Sequence, residues 1–140
     1  MKSRTKRILT ASGILIALSV AGITWVGFDA ILGNAPLFRK SAIETTLLWG
    51  RLAPFPASAK EFRIHTEGSS FTRAFRVSFI APADDIEHWL QESSGIRDAQ
   101  LTSPSSGVRH FEIKPGEGAV WAEVTVDDNQ HHVSVYVYWS

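Results

Sequence analysis

Ile8 to Phe28 is a run of 21 residues without a charge, and it directly follows four basic residues, Lys2, Arg4, Lys6 and Arg7. Its most polar members are Thr10, Ser12, Ser19 and Thr24. As an α-helix rising about 1.5 Å per residue it would reach roughly 30 Å, the hydrocarbon thickness of a bilayer. A core helix of a small domain has no use for that length. The first basic residue beyond the run is Arg39. The positive-inside rule therefore predicts a cytoplasmic basic cap (1–7), a single transmembrane helix (8–28) and everything after it outside. In a bacterium that is a single-pass protein of the cytoplasmic (inner) membrane, contacting lipid through this helix, with Trp25 as an interfacial aromatic. The competing expectation is a secretory signal cut near Ala21, after the small residues of Ser19-Val20-Ala21, which would leave a secreted protein. The apolar run continues past that point through Ile23, Trp25, Val26 and Phe28, which favours a retained anchor. Either way the remainder is exported. Gly13, Ala17 and Ala21 recur every four residues, a small-residue stripe through which two membrane helices could pack.

Charge divides at the same point. Four of the 14 Lys+Arg precede the apolar run and all 14 Asp+Glu follow it, so the part from Asp29 onward carries ten basic against 14 acidic groups, a net of −4. A mildly acidic domain supplies no electrostatic footprint for nucleic acid. The absence of cysteine excludes a disulfide framework, a thiolate metal site, a cysteine nucleophile and a lipid-bearing cysteine anchor.

Beyond the anchor, residues 29–59 read as a juxtamembrane helix and linker. Asn34-Ala35-Pro36 has the pattern of a helix start. Leu37, Phe38, Ala42, Ile43, Leu47, Leu48, Trp49 and Leu52 then form a broad apolar stripe, suited to the membrane surface or to the domain. Pro54 to Ala59 reads as a stiff linker. From Lys60 to Ser140 the periodicity changes to two. Phe62 and Ile64 alternate in a first strand, and Phe71, Phe75, Val77 and Phe79 in a second that runs from Phe71 to Ile80. A helix follows, with Asp84 and Asp85 in its first turn, Ile86, Trp89 and Leu90 as its buried face and Gly95 as terminator. Ser103 to Gly107 reads as a polar loop. Three more strands carry Phe111 and Ile113, then Val120, Ala122, Val124 and Val126, then Val133, Val135, Val137 and Trp139. The expected fold is α+β, an antiparallel β-β-α-β-β-β sheet with one helix on one face and the other face wet.

Pro56, Ser58 and Ala59, the strand through Phe79 and Ala81-Pro82-Ala83-Asp84-Asp85-Ile86 together resemble uncharacterised bacterial membrane-anchored or lipid-anchored proteins with a small exported domain. The resemblance covers about half the chain, and no activity comes with it.

The wet face is where chemistry would lie. Period two places Arg63 and His65, Thr72, Arg76 and Ser78, His110 and Glu112, Trp121, Glu123 and Thr125, and Tyr136 and Tyr138 on it. Arg63, Arg76, Trp121, Glu123, Tyr136 and Tyr138 form the aromatic-plus-arginine mixture enriched at protein contacts, with Arg76 and Glu123 expected as a surface ion pair. His110 and Glu112 point the same way, and His65 would complete a three-ligand metal site if its strand lay alongside. The solvated alternative for these histidines is the stronger one, so no metal and no cofactor is expected. No Gly-x-Ser-x-Gly, His-Glu-x-x-His or Gly-rich phosphate motif occurs, and no catalytic residue is assigned. The sequence therefore leads to a non-enzymatic binding or assembly module of the cell envelope that meets a protein partner or a second copy. The alternative is a metal-dependent or hydrolytic enzyme on the outer membrane surface. The strand ending at Ser140 is expected to offer a free edge.

Overall fold

Alternating valines decide which way the sheet faces. In the computed structural model, which describes residues 36–69, 71–105 and 107–140, Val77, Val124, Val126, Val133, Val135 and Val137 are wholly buried. Each such side chain contributes about 1.5–3 kcal/mol relative to exposure, an upper bound given a partly compact unfolded chain. The strands that carry them are β1 (Lys60–Gly68), β2 (Arg73–Ile80), β3 (Gln100–Ser105), β4 (Val108–Ile113), β5 (Trp121–Asp127) and β6 (His132–Trp139). All neighbours pair antiparallel in the order β1-β2-β6-β5-β4-β3. The α+β class and the one-sided sheet are as expected. Residues 1–35, with the expected membrane segment, the Gly13–Ala17–Ala21 stripe and Asn34, lie outside the described residues. Among the described residues no helix is long and apolar enough to cross a membrane.

Three helices accompany the sheet: α1 (Pro36–Gly50), α2 (Ala83–Glu92) and the single turn α3 (Ser94–Arg97). Arg39–Ser140 forms one unit, and within it the helices cover the valine face. From α2, Ile86, Trp89 and Leu90 are buried, as their i, i+3, i+4 spacing requires, with Asp84 and Asp85 in the first turn. Ala42 of α1 is buried with them, and Trp49 meets Phe75 with ring centroids 5.6 Å apart. From Arg39 onward Ala42, Leu47, Trp49 and Leu52 of the stripe thus pack on the domain, while Leu48 stays 54% exposed.

Several expectations change. Gln100–Ser105 is a sixth strand, not a loop; its polar, Pro104-containing sequence has no apolar alternation, and it is held as an edge strand by β4 alone. Phe71 is 81% exposed and precedes β2, because Ser69 and Thr72 close a turn (Ser69 N–H to Thr72 O, 2.9 Å) before the strand begins. Val120 falls just before β5 and Trp139 is the last residue of β6, so they are 54% and 40% exposed. Gly95 does not terminate α2. That helix ends at Glu92 with Ser93 as its cap, and Gly95 lies within α3, donating its N–H to Arg51 O at 2.9 Å.

Pro54–Ala59 does more than connect. Phe55 packs on Phe79 at 5.0 Å and on Phe62 and Trp89 at 5.8 Å. Ahead of it, Trp89 Nε1 donates to Ala53 O at 2.9 Å, and Ala53 N–H donates to the buried Ser93 Oγ at 3.0 Å. Both backbone groups of Ala53 are therefore satisfied by side chains of α2 and its capping residue, which is what lets this stretch enter the core.

Candidate functional site

Away from the helices, the strand register sets the polar side chains in rows. One row across the sheet reads His65, Arg76, Tyr136, Glu123, Glu112 and Gln100. The next reads Arg63, Ser78, Ser134, Thr125 and His110. On the other side of the first row lie Glu67, Ala74, Tyr138 and Trp121. The six residues assigned to a binding face, Arg63, Arg76, Trp121, Glu123, Tyr136 and Tyr138, thus share the open face. Thr72 precedes β2 and does not take part in its register.

Tyr136 occupies the centre, between Arg76 on β2 and Glu123 on β5. The expected Arg76–Glu123 ion pair does not form, because β6 lies between the two strands. Instead the Arg76 guanidinium lies over the Tyr136 ring, 4.8 Å from its centroid. At an exposed site such a contact is worth about 0.5–1 kcal/mol. Glu123 turns the other way. Its carboxylate accepts from Trp121 Nε1 at 2.9 Å and lies 3.8 Å from His110 Nε2. His110 Nδ1 in turn meets Thr125 Oγ1 at 3.1 Å. Trp121 remains 38% exposed while its indole N–H is already engaged. The ring is thus held by its polar atom while part of its apolar body stays in water.

The three-ligand set does not assemble. β1 and β4 are four strand spacings apart, about 19 Å. His65 therefore cannot join His110, and Glu112 faces Glu123 rather than a histidine. Among the described residues no group of three or more His, Asp or Glu is arranged to hold a metal. The strand ending at Ser140 is not an edge: β6 runs between β2 and β5.

Two clusters were not singled out from the sequence. Arg109 has the parity of Phe111 and Ile113, yet it carries a charge toward the helix side. It bonds Asp128 through Nε (3.0 Å) and Nη2 (2.7 Å), and Nη2 also donates to the Glu87 carboxylate. Partial burial alone would lower the guanidinium pKa, but Glu87 and Asp128 outweigh it and raise it. While Glu87 and Asp128 are ionised, the raised pKa stabilises the fold below the ordinary arginine range, and the benefit fades as pH rises above it. This clamp is therefore insensitive to physiological pH changes. An inward-parity arginine was its signal. Arg51 is the second, held in the left-handed region (φ 52°) where α1 ends and a glycine is usual. Its Nη2 meets Asp98 Oδ2 at 2.6 Å and its carbonyl accepts from Gly95 N–H and Ser94 Oγ. Beside it runs an open groove of about 730 Å³, lined by Leu47, Leu48, Glu44, Glu92 and Glu117 among others.

No known protein family, curated protein or solved structure matches this chain.

Proposed function

We propose that the chain is a membrane-tethered, non-enzymatic recognition module that meets a protein partner outside the cytoplasm through the open face of its sheet. The observation that carries this reading is the Tyr136-centred cluster. Arg76 is held over Tyr136 and Trp121 is bonded to Glu123, so these side chains have already lost much of the rotamer freedom that binding would cost. Exposed tryptophan, tyrosine and arginine are the residues that most often dominate protein contacts. The tether rests on the uncharged run 8–28 and its basic cap.

Crosslinking of the full chain in its own membrane tests the reading. Replacing Trp121, Tyr136 and Tyr138 together by Ser is expected to abolish the crosslinked species formed by the wild type. Because the tyrosines are half-buried, the exposed Arg76→Glu variant is run beside the triple and is expected to weaken the same species while staying folded, its thermal midpoint lowered by only about 2–8 °C through loss of the Arg76–Tyr136 contact. An unchanged set of crosslinked species with Arg76→Glu and with a folded triple variant rules out this face as the recognition surface.

A further inference from the structure

Among the described residues the sheet has two edges, β1 and β3. β3 is interrupted by Pro104 and by a register shift between Thr102 and Ser105, so it offers no continuous ladder. β1 differs. A register shift lies between Lys60 and Arg63, where Glu61 takes φ 54°, but from Arg63 to Gly68 its pairing with β2 is unbroken. One side of that stretch therefore carries a row of backbone donors and acceptors with no strand of the described residues beside it.

We propose that this stretch pairs antiparallel with the same stretch of a second copy, about a two-fold axis through His65, joining two six-stranded sheets into one. Two physical constraints choose the axis. Opposed residues in an antiparallel pair share a sheet face, so a symmetric pairing of a strand with itself must centre on a residue, not between two. The regular stretch is short, so the centre falls among Ile64, His65 and Thr66. Centring on Ile64 sets Arg63 against His65 of the second copy. Centring on Thr66 leaves Arg63 facing Ser69. Only His65 places Arg63 opposite Glu67 of the second copy, and by symmetry Glu67 opposite Arg63. Opposite charges directly across a ladder stabilise a pair, and like charges destabilise it. Glu67 is now 3.4 Å from its own His65, with both side chains more than half exposed, so it can turn to a new partner. Ile64, half-buried at the open end of the core, would face Thr66 of the second copy. The pairing sets the Arg76–Tyr136 faces of two copies on one continuous surface, and it does not depend on what that surface binds.

The full chain has no cysteine, so His65→Cys provides a single thiol at the axis, where opposed Cα atoms come within disulfide reach. Lys60→Cys, outside the regular stretch, is the control. Under mild oxidation His65→Cys is expected to form disulfide dimer about tenfold faster than Lys60→Cys. In the His65→Cys background, Arg63→Glu and Glu67→Arg are each expected to slow dimer formation about tenfold, and the double exchange to restore it. Equal rates for the two thiols, or a double exchange no faster than the single variants, would overturn the proposal. So would dimerisation through the Gly13–Ala17–Ala21 stripe alone, which raises both thiols together and ignores the charge exchange.

Discussion

Gly95 lies where the turn of α3 passes the end of α1, and there is no room at its Cα for a side chain. A Cβ there would stand 2.2 Å from Gly50 O and 2.9 Å from Ile113 Cγ2, and the nearer contact is backbone. Gly95→Ala is therefore expected to cost about 3 kcal/mol, the upper part of the overpacking range. Gly118 is the useful contrast. It takes φ 78° in a loop with nothing within 4 Å, so Gly118→Ala meets only backbone strain of about 1 kcal/mol. Urea midpoints of the two variants check this, and equal losses would show that the α1–α3 contact is looser than described. At this scale the sequence was partly legible. Alternation identified the side chains of the open face, because parity is a local property. It could not identify Arg51 as a helix end, since a left-handed arginine is allowed only by what surrounds it: Asp98, Ser94 and the Gly95 N–H come from beyond residue 90.

Elements show where local pattern and global arrangement part. β2, β5 and β6 were legible from their valine and phenylalanine alternation, and α2 from Ile86, Trp89 and Leu90, since each pattern matches the face it buries. β3 was not, because an edge strand with a proline has no apolar period to read. The stretch through Phe55 looked like a linker for a related reason: prolines on both sides hid a phenylalanine that touches three other aromatic rings. Its role makes a direct prediction. Phe55→Ala is expected to destabilise the fold by about 3 kcal/mol, the low end for removal of a core phenylalanine because Phe55 is only partly buried. Chemical denaturation of the full chain measures it, and a loss below about 1 kcal/mol, the size of an ordinary surface effect, would return the segment to the status of a connector.

For the whole molecule, strand order is the information that no local pattern contained. It separates His65 from His110 by three strands and puts Tyr136, not Glu123, beside Arg76. It also buries the C-terminal strand in the middle of the sheet and exposes β1 instead. The result is a domain with one face closed by helices and the other set with fixed aromatic and charged groups. What that open face can meet depends on the compartment in which it stands, and in the proposed reading that compartment follows from residues 8–28 and the four bases before them. The most direct measurement uses Lys114→Cys, an exposed position that would carry the only thiol of the chain. Spheroplasts with an intact inner membrane are treated with a membrane-impermeant maleimide, then lysed and treated again. Complete labelling before lysis is the expected result. Labelling that appears only after lysis would put the domain in the cytoplasm and contradict a recognition role in the envelope.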